Sequence, residues 1–297
     1  MDIKQVLSFV KVEHTLFSLP FVLMGYFIAL EQFGFALSLD LLWILLAAIG
    51  ARGLAMALNR IIDADIDAAN PRTQNRHLAS GSMTMKTAWG LAAAFLALLL
   101  FSAGRLNRVA LMMAWLPVLA FVIYPFMKRF TWLCHFWLGL CLGLAPAGAW
   151  VAVAADVHGW GAITGQLSNA TEFLWAPTIL PLSLGVALWI AAFDINYARM
   201  DVDSDREQGI YSFPSRFGGP MTTRASVTLS LAWMVCFLIA NPEEGGIWFI
   251  GAVCGMALAN IVVVLQMEHL RDFQSSLFRV SMLTGWALLL PVVVLAL

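Results

Sequence analysis

Nine runs of about twenty apolar residues leave this chain few ways to fold. They centre on 14–34, 40–60, 86–104, 107–126, 131–154, 172–194, 223–241, 246–266 and 276–297. A run of that length crosses the hydrocarbon core as a helix, because no water is present there to satisfy an open backbone. Of the 297 residues 61% are hydrophobic and 12% charged, against about 25% charged in soluble domains. The expected fold is an all-α polytopic membrane protein of nine transmembrane helices, a single membrane-embedded domain over 1–297. The first run follows Lys4 and Lys11 without a small-residue cleavage site, so it reads as a helix and not as a signal peptide.

The net charge of −1 hides an asymmetry. With the N-terminus inside, only Arg105 and Arg108 fall on the outer side. Every other Lys and Arg except the intramembrane Arg52 falls on the cytoplasmic side. The positive-inside rule therefore orients the chain with its N-terminus cytoplasmic and its C-terminus outside. Cys134, Cys141, Cys236 and Cys254 lie inside the runs without metal-ligand or redox spacing, and read as core. The sequon Asn169-Ala170-Thr171 is too short a pattern to carry weight.

Ionisable residues are costly in such a chain and tend to mark function. Eight of the eighteen acids lie in two segments, 59–67 and 194–207, at the ends of the second and sixth runs. Four helices separate the two segments, so both emerge on the cytoplasmic side. Their matching places in each half suggest a repeat of helices 1–4 and 5–8, with a ninth added. Asn59, Asp63 and Asp67 recur every four residues, and Asp194, Tyr197, Asp201 and Asp205 form an equivalent stripe if the helices continue. Facing carboxylates repel and require a counter-charge. Mg²⁺ is usually shared between one or two carboxylates and substrate phosphates, so a diphosphate fits between the motifs. Arg72, Arg76, Lys128 and Arg129 in neighbouring loops are placed to bind the outer phosphate oxygens.

The residues now resemble a known family, the UbiA-type intramembrane aromatic prenyltransferases, over nearly the whole chain. Its first signature, Asn-Asp-x-x-Asp-x-x-x-Asp, is met by Asn59, Asp63 and Asp67, with Arg60 where the family often has aspartate. Its second, Asp-x-x-Tyr-Ala-x-x-Asp-x-x-x-Asp, is met in full by Asp194, Tyr197, Ala198, Asp201 and Asp205. Tyr124 with Lys128, the stretch Arg72–Gly81, and Ser212, Arg216, Phe217 and Gly218 match further elements. The resemblance implies a nine-helix bundle around a central cavity, Mg²⁺ held by Asn59, Asp63, Asp67, Asp201 and Asp205, and diphosphate held by Arg72, Arg76, Lys128, Tyr124 and Tyr197.

It also implies transfer of a polyprenyl group from its diphosphate to a hydroxylated aromatic acid. Asp194 is the candidate to position or deprotonate the acceptor's hydroxyl. Arg52, two turns deeper than Asn59, is the candidate for the acceptor's carboxylate, the alternative being a structural pair with Asp194 or another acid. The segment 11–21 resembles 4-hydroxybenzoate polyprenyltransferases of quinone biosynthesis and also relatives acting on 1,4-dihydroxy-6-naphthoate in menaquinone synthesis. His14 reads as an interfacial structural residue, and Phe17, Phe21 and Trp43 as core. The expected setting is a bacterial inner membrane, with membrane lipid around the helices and no nucleic-acid partner. An ion-coupled transporter is the rival of another class, but transporter acids tend to lie at the midplane in broken helices.

Overall fold

The computed structural model describes residues 3–11, 15–164, 174–175, 177–242 and 246–296. His14 and the sequon at 169–171 lie outside the described residues. Among those described, nine helices are long and apolar enough to cross a membrane: Thr15–Phe33, Asp40–Ile62, Met85–Leu106, Arg108–Met127, Cys134–His158, Ile179–Glu207, Phe213–Ala240, Gly246–Leu265 and Phe273–Val294. They are called the first to ninth helices below. No strand occurs among the described residues.

Local chemistry sets several of the boundaries. Thr84 caps the third helix by accepting the Thr87 N–H, and Asn107 caps the fourth by accepting that of Ala110 at 2.8 Å. A short helical segment starting at Phe213 precedes the seventh apolar run and is separated from the main helix by Gly218. Pro214, Gly218, Gly219 and Pro220 read as loop residues in the sequence. Pro214 instead sits in the first turn, where a missing N–H costs nothing. Gly218 (φ 77°, ψ 172°) is non-helical and divides the segment into two helices that meet at a kink.

The fifth helix packs closely against both the sixth and the first, where a Cβ on Gly139 would overlap the Ala187 carbonyl and one on Gly25 that of Pro146. Small residues let membrane helices approach this closely. Trp150, Trp189 and Trp233 are fully buried. Phe17 stacks on Trp189 at 4.7 Å and Phe21 leans on it at 4.9 Å, so both are core, as expected. Trp43 packs edge-on against Phe101 with Arg105 over its ring. Phe101, Leu231, Leu258 and Leu290 are exposed on the perimeter, as a lipid-facing surface requires.

Neither acidic stripe is a continuous α-helix. The second helix stops at Asp63 (φ −97°, ψ 9°), and a short helix resumes over Ala64–Ala69. The register survives because the Asp63 N–H donates to Asn59 O at 3.0 Å and the Asp67 N–H to Asp63 O at 2.8 Å. In the second motif the α-helix ends at Tyr197, a 3₁₀ turn covers Ala198–Asp201, and α-helix resumes at Val202. The tighter turn rotates the acids relative to a uniform helix.

Candidate active site

The two acidic segments meet at one end of the bundle, bridged by the chain that follows the first. Asn70 donates to Asp201 Oδ1 at 2.9 Å, and Arg72 grips the same carboxylate with Nε at 2.8 Å and Nη2 at 2.5 Å. This is a bidentate pair, the strong form of the contact. Arg72 also lies over the Tyr197 ring at 5.4 Å. Thr73 fixes the turn by donating to Asp67 O at 3.0 Å.

Each motif acid carries its own cation or donor. Asp63, 1% exposed, accepts from Lys128 at 2.6 Å, from Arg129 at 3.2 Å and from Asn59 at 2.9 Å. Burial raises the Asp63 carboxyl above its ordinary range, against the opposing pull of Lys128 and Arg129. Asp67 holds Arg76 at 2.6 Å, with Arg60 at 3.9 Å. Asp205 accepts from Ser212 at 2.6 Å. Tyr197 accepts from Gln274 at 2.6 Å. Asp65, Asp203 and Glu207 are exposed.

Among the described residues no three His, Cys, Asp or Glu side chains form a ready-made metal cage. The donor set is nonetheless hard oxygen chemistry throughout, the kind that suits Mg²⁺ when phosphate supplies the remaining oxygens.

Beneath this cluster lies a cavity of about 450 Å³. Its lining runs from Asn59 to Ile44 along the second helix and from Tyr124 to Ala110 along the fourth. At 1.5 Å per residue that is a channel about 20 Å long. Asn59 and Tyr124 mark the end nearest the acids, Arg52 lies about midway along the wall, and Ala48, Leu99, Met113 and Leu142 are among the apolar residues that make most of the rest. Arg52 pairs with no acid among the described residues, and its buried Nε has no hydrogen-bond partner. The structural pair with Asp194 is therefore not formed. Asp194 is instead bonded to His135, whose Nδ1 lies 2.7 Å from Oδ2. Tyr124 is within electrostatic reach of both Arg52 and Asp194.

Sequence reasoning left out Asn70, Ser212 and His135 as site residues. Asn70 and Ser212 are neutral, and their contacts arise from loop closure. His135 did carry a signal, being an ionisable residue inside the fifth apolar run.

Among the described residues, nine helices long and apolar enough to cross a membrane and an apolar channel next to a cluster of acids and bases define the architecture of an intramembrane enzyme. The UbiA prenyltransferase family model matches residues 18–296, and the chain belongs to that family. It is 30% identical over 244 residues to a 4-hydroxybenzoate octaprenyltransferase of Marinobacter nauticus, covering 80% of this chain and 74% of that protein. The matches to two further relatives, from Aedes aegypti and Vibrio campbellii, span only 34% and 52% of their lengths. Among solved structures, a UbiA homologue of Aeropyrum pernix superposes with a TM-score of 0.81 at 30% identity, over 95% of this chain and 98% of that one. A homologue of Archaeoglobus fulgidus, solved with DMAPP and Mg²⁺, shares the fold at a TM-score of 0.64 and 18% identity, over 98% and 100% of the two chains.

Proposed function

We propose that this chain transfers a polyprenyl group from its diphosphate to a hydroxylated aromatic carboxylic acid, with 4-hydroxybenzoate as the preferred acceptor, in quinone biosynthesis. The observation that carries this reading is the unpartnered Arg52 in the wall of an apolar channel, one of whose lining residues, Asn59, donates to Asp63 of the acidic cluster. The relatives named for 4-hydroxybenzoate support the choice of acceptor.

In this reading Asn59, Asp63, Asp67, Asp201 and Asp205 would hold Mg²⁺, which would supply positive charge to the diphosphate as leaving group. Arg72, Arg76 and Lys128 release their carboxylates and take phosphate oxygens, with Tyr124 and Tyr197 beside them. The apolar channel keeps water from the allylic cation and receives the prenyl tail. Arg52 holds the acceptor's carboxylate, and the hydroxyl turns toward Asp194, which lies within electrostatic reach of Tyr124 in the channel wall. Asp194 takes the hydroxyl proton and makes the ring carbon beside it nucleophilic. The basic loops orient the enzyme with its N-terminus and active site toward the cytoplasm of a bacterial inner membrane and its C-terminus outside.

The test is an assay of purified protein with one polyprenyl diphosphate, Mg²⁺, and 4-hydroxybenzoate or 1,4-dihydroxy-6-naphthoate, read by product mass. A prenylated 4-hydroxybenzoate is the expected product. Prenylated naphthoate alone would move the acceptor. Solute movement across proteoliposomes without diphosphate release would replace the enzyme reading with a transporter.

A further inference from the structure

His135 is 3% exposed in the first turn of the fifth helix, and both of its ring nitrogens are engaged. The backbone N–H of Phe213 donates to Nε2 at 3.0 Å. A nitrogen that accepts carries no proton, so in the neutral ring the hydrogen is on Nδ1 and is donated to Asp194 Oδ2 at 2.7 Å. The Phe213 N–H is one of the free donors of the seventh helix's first turn. The adjacent Ser212 caps that helix and donates to Asp205. One short segment, 212–213, thus anchors both ends of the second motif.

This arrangement decides which group is the base. With Nε2 closed by a backbone donor and Nδ1 protonated, the imidazole has no free lone pair for substrate. Asp194 does: its side chain is 21% exposed, and Oδ1 accepts no hydrogen bond among the described residues.

We infer that His135 is a positioning residue, fixing Asp194 in one orientation and supporting its ionised form so that Oδ1 takes the acceptor's hydroxyl proton. The inference rests on the reading of the chain as an aromatic prenyltransferase. The protons balance as follows. Asp194 Oδ1 takes the phenolic proton as the ring carbon bonds to the prenyl C1, whose bond to the diphosphate oxygen breaks. The ring carbon then loses its own hydrogen to the departing diphosphate, and Asp194 returns its proton to the oxygen, restoring the phenol. A buried hydrogen bond to the charged carboxylate is what keeps the base oriented and ionised.

The experiment compares wild type, His135→Leu and His135→Gln in steady-state assays with 4-hydroxybenzoate and a more acidic ring-fluorinated analogue. Thermal shift with Mg²⁺ and prenyl diphosphate reports donor binding. His135→Leu is expected to lower acceptor kcat/KM about 10²-fold, within the range of a general base's contribution, while leaving the donor shift unchanged. The glutamine amide can accept from Phe213 and donate to Asp194, so His135→Gln is expected to recover activity to within about tenfold of wild type. The leucine defect should narrow with the fluorinated acceptor, whose proton leaves more easily. The inference is overturned if His135→Leu is as active as wild type. It is also overturned if both variants fail alike with the donor shift lost and the same defect on both acceptors, the signature of a merely structural residue. If wild type prenylates neither acid, it is the functional reading itself that fails, a result distinct from either.

Discussion

At the scale of single residues, the acids and bases of the site neutralise one another, and this fixes what their removal does. Asp63→Ala frees Lys128 and Arg129, and Asp201→Ala frees Arg72, all partly exposed groups that water can serve. Both variants are expected to keep their helix content by circular dichroism while Mg²⁺-dependent turnover falls more than about 100-fold, the order of losing one transition-state electrostatic group. Full activity in either would refute the two-motif reading. Arg52 behaves differently because it pairs with no acid among the described residues. Arg52→Ala should raise KM for the aromatic acid about tenfold to a hundredfold, as for a charged hydrogen bond of about 1.5–3 kcal/mol. KM for the prenyl diphosphate should hardly move, and equal losses on both substrates would favour a structural role.

At the scale of elements, the apolar runs located the nine helices that are long and apolar enough to span among the described residues, since length and hydropathy decide spanning. They did not mark the short helical segment ahead of the seventh because Pro and Gly act by position, and Pro214 in a first turn supports a helix instead of ending it. The Ser212 cap joins that helix to Asp205. Ser212→Ala is expected to cost about 1 kcal/mol, typical of a lost N-cap, seen as a lower thermal midpoint in detergent together with reduced turnover. Gly218→Ala forces a Cβ into φ 77°, at a cost of about 1–2 kcal/mol. Its midpoint should fall, whereas an unchanged midpoint would mean that the kink straightens without strain.

At the scale of the whole molecule, the channel joins a polar mouth to an apolar length, so the two ends can be altered separately. Ala110 lines the end farthest from Asn59 and Tyr124. Ala110→Phe should lower turnover of long polyprenyl diphosphates about tenfold or more, the mark of a blocked hydrophobic subsite, while a five-carbon allylic diphosphate is used as before. Competition between donors of different length measures this directly, and equal loss on all of them would place the tail elsewhere. By itself the sequence determined the membrane class, the helix count and the two acidic motifs, because hydropathy and i, i+4 spacing are local properties of the chain. Tertiary structure alone decided that Arg52 stands unpaired in a cavity, that Asn70 and Arg72 reach across to Asp201, and that Asp194 is held by His135. Those pairings join residues up to 131 positions apart, and they depend on how the helices pack and the loops close, which no local pattern records.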